Sequence, residues 1–123
     1  MKEKNIMQQK SFAFAKRIVK LNKFLVGKNE FVLSRQVMRA GTSIGSNVEE
    51  ANGSRTKKEF ASKLGIAYKE ANETKYWLSL LKDSGVITPK EGESMLADCE
   101  ELLKIIGSAI RTLKASLKSE AKT

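Results

Sequence analysis

Phe60, Leu64, Ala67, Ala71, Thr74, Leu78 and Leu81 recur at alternating spacings of four and three residues. An α-helix turns once in about 3.6 residues, so this rhythm lays all of them along one stripe. A strand, whose side chains alternate with period two, has no use for it. A second seam follows in Cys99, Leu103, Ile106, Ile110, Leu113 and Leu117, again in 4-3 spacing. Two long helices with one apolar stripe each must bury those stripes against other helices, which directs the chain to an all-α fold.

The breaks between helices are orderly. In a first helix, over about residues 8–26, Phe14, Ile18, Leu21 and Leu25 form one apolar row, and Phe12, Ala15 and Val19 form a neighbouring one. Gly27-Lys28-Asn29 ends it. A second helix is expected over 31–52, with Val37, Ala40, Ile44, Val48 and Ala51 as its core face and Gly53 as a left-handed cap. Thr56-Lys57-Lys58-Glu59 is a capping box that opens a third helix over 57–83, which Gly85 closes. Thr88-Pro89-Lys90-Glu91 is a second box, with proline at the first helical position, and starts a fourth helix over 89–118. Long amphipathic helices joined by short loops predict an antiparallel up-down-up-down four-helix bundle spanning the whole chain as a single domain.

Two features of the helical faces carry further expectations. Gly41 and Gly45 sit four apart inside the second helix, where each costs ~1 kcal/mol against alanine, so a neighbouring helix is expected to approach closely there. The third helix has a second row, Ile66, Glu70, Glu73, Trp77 and Leu80, and the fourth has extra apolar positions at Leu102, Ile105 and Ala109. That is more apolar face than one small bundle needs, and it implies self-association.

Composition narrows the chemistry. There is no histidine and one cysteine, so Ser-His-Asp and Cys-His devices, His-containing zinc sites and Glu-x-x-His di-iron sites are excluded, as is an intrachain disulfide. Cys99 falls within an apolar helical pattern and is read as a small core residue. No Gly-Lys-Ser/Thr phosphate loop is present. Glu70 and Glu73 have neither a nucleophile nor a metal site near them in sequence, so no catalytic residue, cofactor, metal or small-molecule substrate is assigned and the chain is not expected to be an enzyme. No apolar run approaches the ~20 residues that span a bilayer. Residues Met1 to Lys10 are mostly polar, without the apolar segment of a signal peptide, which makes a cytoplasmic location the expectation.

The formal charge of +9 is unevenly spread: residues 1–40 hold ten Lys/Arg against two Glu, and the remainder is nearly balanced. A concentrated basic segment is the footprint of a polyanion partner. The candidate contacts are Lys16, Arg17, Lys20 and Lys23 in the first helix, Arg35 and Arg39 in the second, and Arg55, Lys57 and Lys58 at the start of the third. No stacking row of exposed aromatics is evident, so RNA or DNA binding is expected to be weakly sequence-specific and strongly salt-dependent. Ser43, Ser46, Asn47 and Glu50 form a polar row at i, i+3, i+4 and i+7. Its structural reading is a network tying the second helix to the third, with Arg39, Glu70 or Glu73 as partners, because buried amide and carboxylate groups are unfavourable unless paired.

The stretch Arg39-Ala40-Gly41-Thr42-Ser43-Ile44-Gly45-Ser46-Asn47-Val48-Glu49-Glu50-Ala51 resembles the signature of a bacterial four-helix bundle family, first noticed as reading frames in 23S rRNA intervening sequences. Lys58-Glu59-Phe60, the run Ile66 to Thr74 and the run Tyr76 to Leu81 resemble its second block. The likeness covers most of the chain, and the two blocks together are specific. Many members carry proline at the place of Gly45 and glycine at the place of Ala51, departures that read as local variation. The resemblance implies a homopentameric ring of bundles without established enzymatic activity. A more distant likeness, to the basic pentameric accessory protein of diversity-generating retroelements, implies contact with nucleic acid. The competing expectation is a protein–protein assembly module whose charge serves solubility alone.

Overall fold

The computed structural model describes residues 2–122, with side chains from Ile6 to Lys122. It consists of α1 (Lys2–Gly27), α2 (Phe31–Asn52), α3 (Lys57–Asp83) and α4 (Pro89–Ala121), with no strand among the described residues. The helix boundaries have local causes. Thr56 Oγ1 accepts from the Glu59 N–H at 3.0 Å, and Thr88 Oγ1 accepts from the Glu91 N–H at 3.1 Å, so each threonine satisfies one orphan donor of the helix it opens. Gly85 turns the chain out of α3 with a φ of 74°, in the region that favours glycine. After α1 the left-handed residue is Asn29, at φ 63°, and the chain closes through Glu30 N–H to the Leu25 carbonyl at 2.9 Å.

Three sequence expectations need correction. Gly53 does not take a left-handed conformation: its φ is −89°, and α2 exits through a right-handed turn in which the Ser54 N–H donates to the Ala51 carbonyl at 3.0 Å. The first helix starts at Lys2 rather than near residue 8, because Met7, 1% exposed, anchors an additional turn in the core. The core seam of α4 keeps Cys99 and Ile106, adds Met95 and takes Leu102 in place of Leu103, leaving Leu103, Ile110, Leu113 and Leu117 half-buried. The apolar band of α4 is two residues wide, and packing rather than spacing selects which edge faces inward.

The remaining stripes lie in the core. All seven seam positions of α3 are buried, as are Val37, Ala40, Ile44, Val48 and Ala51 of α2 and Phe14, Ile18, Leu21 and Leu25 of α1. Neighbouring helices meet in opposed residue order. Along α1 and α2, Asn22 bonds the Ser34 carbonyl, Ile18 lies under Gly41, and Gln8 bonds Glu49. Along α3 and α4, Lys82 faces Gly92, Ala71 faces Cys99 and Lys57 faces Glu120. A Cβ on Gly41 would lie 2.6 Å from Ile18 Cγ1, and one on Gly45 would lie 3.4 Å from the Ser11 carbonyl oxygen, so both glycines let α1 and α2 approach closely.

The α1–α4 edge is the loosest of the four. Ion pairs join it: Lys10 to Glu101 at 3.2 Å and Arg17 to Asp98 at 2.7 Å. Towards the end of α4 an open cavity of about 770 Å³ is left between Met7, Phe60, Ile105, Ala109 and Leu113. No helix of the described residues is long and apolar enough to cross a membrane.

Candidate nucleic-acid interface

The nine candidate cations fall into two groups. Three are committed to other helices. Arg17 reaches α4, where its guanidinium pairs with Asp98, approaches Glu91 at 3.7 Å and donates to Ser94 Oγ at 3.1 Å. Arg39 reaches α3, donating to Glu70 Oε2 at 3.0 Å and to Glu73 Oε1. Lys57 donates to Glu120 at 3.1 Å and to Ser116 Oγ at 3.0 Å. The other six, Lys16, Lys20, Lys23, Arg35, Arg55 and Lys58, are exposed, and none has a hydrogen-bond or ion-pair partner among the described residues.

Those six do not form one patch. Lys16, Lys20 and Lys23 lie along the outward face of α1, opposite the buried Phe14–Ile18–Leu21–Leu25 row. The bond from Asn22 to the Ser34 carbonyl, at 3.2 Å, brings the neighbouring Lys23 and Arg35 to the same level of the bundle. Arg55 and Lys58 sit at the opposite end, where α2 passes into α3. The continuous basic surface is therefore the α1 stripe with Arg35 beside it.

Two members of that surface were not legible as such. Phe12 is 66% exposed and Phe24 45% exposed, and each ring lies beneath an ammonium: Lys16 Nζ is 5.4 Å from the Phe12 centroid and Lys28 Nζ is 5.4 Å from that of Phe24. Two exposed aromatics thus accompany the basic stripe, without forming a continuous stacking row. Both pairs are spaced i, i+4, and both rings lie off the core row, which is the signal that would have found them. Beside Phe12 a shallow cavity of about 290 Å³ opens between α1 and α2, floored by Ala15, Thr42, Gly45 and Ser46.

The polar row of α2 turns mostly onto its own helix. Ser43 Oγ donates to the Arg39 carbonyl at 2.6 Å, Ser46 Oγ to the Ser43 carbonyl at 3.2 Å, and Asn47 Nδ2 to the same carbonyl at 2.8 Å. Short polar side chains find the carbonyl three or four residues back before they reach a neighbouring helix. The bridges from α2 to α3 are made instead by longer groups. Arg39 clasps Glu70 and Glu73, Trp77 Nε1 donates to Glu73 at 3.3 Å, and Glu50 accepts from Lys63 at 3.0 Å. The Arg39 guanidinium holds the Glu73 carboxyl below its ordinary value, against a smaller opposing effect of desolvation. Arg39 covers the middle of the second α3 row, and Ile66 and Leu80 remain exposed at its two ends.

Cys99 is buried, and its thiol donates to the Ala71 carbonyl at 3.2 Å. Desolvation pushes its pKa up to about 12, so it is held as a thiol in the core. No group of three or more Cys, Asp or Glu among the described residues could hold a metal ion.

Comparison with known proteins decides the family. The model of the 23S rRNA-intervening sequence proteins matches residues 3–108. The chain belongs to that family. It is also similar to a solved structure, a protein of unknown function from the S23 ribosomal protein family of Bacteroides thetaiotaomicron. The two are 46% identical, over 89% of this chain and 98% of that one, with a TM-score of 0.86. A search of the curated proteins finds no match.

Proposed function

We propose that this member of the 23S rRNA-intervening sequence proteins is a non-enzymatic cytoplasmic assembly protein that contacts structured RNA through the outward face of α1. The observation that carries the reading is the stripe Lys16, Lys20 and Lys23 with Arg35 beside it. These cations are exposed and lack carboxylate partners among the described residues, whereas Arg17, Arg39 and Lys57 are each neutralised by another helix. Cations left uncompensated along one helix attract a phosphate backbone and release its counterions on binding. The family's name, which refers to an intervening sequence of 23S rRNA, is in keeping with an RNA partner.

In this reading the subunit is an antiparallel up-down-up-down bundle, supported by the opposed order in which neighbouring helices meet. It assembles with copies of itself, five in the ring that the resemblance implies. The half-buried row Ile105, Ala109, Ile110 and Leu113 on α4, and the exposed Phe31 and Val32 on α2, are apolar surface that a second copy would cover. A ring repeats the basic stripe once per subunit, so avidity raises affinity far above that of a single copy. The same apolar surfaces favour the second reading, an assembly module without a nucleic-acid role.

A salt titration against structured RNA and matched duplex DNA, on protein of known light-scattering mass, separates the two. The RNA reading predicts binding that falls steeply with salt. It further predicts that reversing Lys20, Lys23 and Arg35 to glutamate abolishes binding while the mass of the oligomer is unchanged. Wild-type protein that assembles and binds neither nucleic acid establishes the second reading instead.

A further inference from the structure

We infer that the α1 face takes single-stranded nucleic acid, with an unpaired base seated against Phe12 in the cleft between α1 and α2 and a second base stacked on Phe24. This rests on the RNA reading above and specifies which form of RNA the face recognises.

The first argument is the pairing of rings with ammonium groups. Phe12 with Lys16 and Phe24 with Lys28 each present an exposed aromatic face and a cation within 5.4 Å of its centroid. A nucleotide has the complementary parts, a π-face and a phosphate, and single-strand binders combine aromatic platforms with a basic track in this way. Twelve positions of helix separate the rings, a rise of about 18 Å and a turn of about 120° around the axis, so a strand joining them winds across the outward face. Lys16, Lys20 and Lys23 lie between the rings along this track. In a duplex the bases are stacked on one another and offer no free face to either phenylalanine.

The second argument is the cleft itself. Its floor is made of small residues, Ala15, Thr42, Gly45 and Ser46, so a flat group can enter beside the Phe12 ring. Its exposed lining is almost wholly apolar, which suits the flat face of a base rather than a phosphate. The hydroxyls of Thr42 and Ser46 are turned to their own helix, donating to the Met38 carbonyl at 2.6 Å and the Ser43 carbonyl at 3.2 Å, and add little polar surface to the cleft. Glu49 also lines the cleft; it accepts from Gln8 at 2.6 Å and has further lone pairs for an exocyclic amine. A carboxylate at the exposed edge of the cleft and lysines along α1 orient a strand with its base inward and its phosphates outward. That arrangement disfavours an anionic lipid headgroup in the same cleft.

The test uses a short mixed-sequence single-stranded RNA, the same RNA annealed to its complement, inorganic polyphosphate and anionic phospholipid vesicles. The variants are the double substitution Phe12→Leu with Phe24→Leu, the cleft-filling Ser46→Leu, and Tyr76→Leu as an exposed aromatic on α3. The double variant keeps the apolar bulk and removes the π-faces. It is expected to bind single strands at least about tenfold more weakly, because one stacked base alone accounts for that much. Duplex and polyphosphate binding are expected to change less than about twofold, with melting temperature and oligomer mass unchanged. Ser46→Leu should reproduce part of the loss and Tyr76→Leu none. Single-strand binding that survives both the leucine pair and Ser46→Leu overturns the inference and leaves the RNA reading standing. So does vesicle binding that outcompetes the single strand in wild type and survives leucine. If the wild type binds neither RNA form, the inference and the RNA reading fall together.

Discussion

The outer faces of α1 and α3 began as similar patterns and ended differently. Each helix carries two apolar or mixed rows, one of which is buried in the core. On α3 the second row is drawn back into the molecule: Arg39 of α2 spans Glu70 and Glu73, and Trp77 donates to Glu73 beneath it. On α1 the second row stays outside, with Phe12 two-thirds exposed and its lysine neighbours unpaired among the described residues. The carboxylates make the difference. Where acidic residues stand in the row, a neighbouring helix supplies the cation and the face becomes part of the fold. Where Lys16, Lys20 and Lys23 stand beside the row, no carboxylate among the described residues pairs with them, and the face stays exposed.

The largest expected effect tests the inner rows. Leu78 is fully buried in the α3 seam, and Leu78→Ala should destabilise the fold by about 2–5 kcal/mol through lost burial and the cavity left behind. Phe12→Ala removes a larger side chain from the α1 surface and should change stability by less than about 0.5 kcal/mol. Urea midpoints of the two variants at the same protein concentration measure the contrast. A cost for Phe12→Ala that rivals that of Leu78→Ala, and that comes with a lower oligomer mass, would move Phe12 into a subunit interface.

A second pair compares glycines of opposite sign. A Cβ on Gly41 meets the buried Ile18 at 2.6 Å, so Gly41→Ala should separate α1 from α2 and cost about 1–3 kcal/mol in overpacking, more than the ~1 kcal/mol of helix propensity that alanine restores. Gly65, inside α3, has nothing within 4 Å of its Cβ position, and Gly65→Ala should stabilise by about 0.5–1 kcal/mol. Thermal melts that shift in the same direction for both variants would contradict the close approach of α1 and α2.

Much of the fold is legible in the amino-acid sequence alone. The α3 seam was readable in full because seven residues at 4-3 spacing leave only one face to bury. The caps Thr56 and Thr88 were readable because their partners lie three residues away in sequence. The α4 seam differs from the expected one in its choice between Leu102 and Leu103, which are equally apolar, so that only the packed neighbours choose between them. Gly53 was misassigned because a glycine after a helix permits a left-handed residue without requiring one. At the candidate interface, sequence identified the cations but could not tell which were engaged. Arg17 and Asp98 are far apart in the chain, and their 2.7 Å contact depends on how α1 lies against α4. The same holds for the polar row of α2, whose serines and asparagine bond their own helix while Arg39 makes the longer reach.

The smallest effect sharpens the comparison between the outer faces through pH. The Arg39 hydrogen bond lowers the pKa of Glu73 from its ordinary 4.5, so the unfolded chain takes up a proton at a higher pH than the folded one. The stabilisation is therefore present in full well above 4.5 and is lost as the pH falls through the depressed folded value. The Glu73 side chain is 36% exposed and that of Arg39 49%, so solvent screening limits the pair to about 0.2–1 kcal/mol. Glu73→Gln should lower the urea midpoint at pH 7 and match the wild type once the pH is low enough to protonate folded Glu73. Lys20→Gln and Lys23→Gln on α1 have no carboxylate partner to lose among the described residues, and should leave the midpoint unchanged across the same range. A Glu73→Gln deficit that persists undiminished in acid would assign the effect to packing around Trp77 rather than to charge. A lysine variant that shifts stability with pH would mean that the α1 face is closed by a carboxylate after all, one supplied by another copy of the chain.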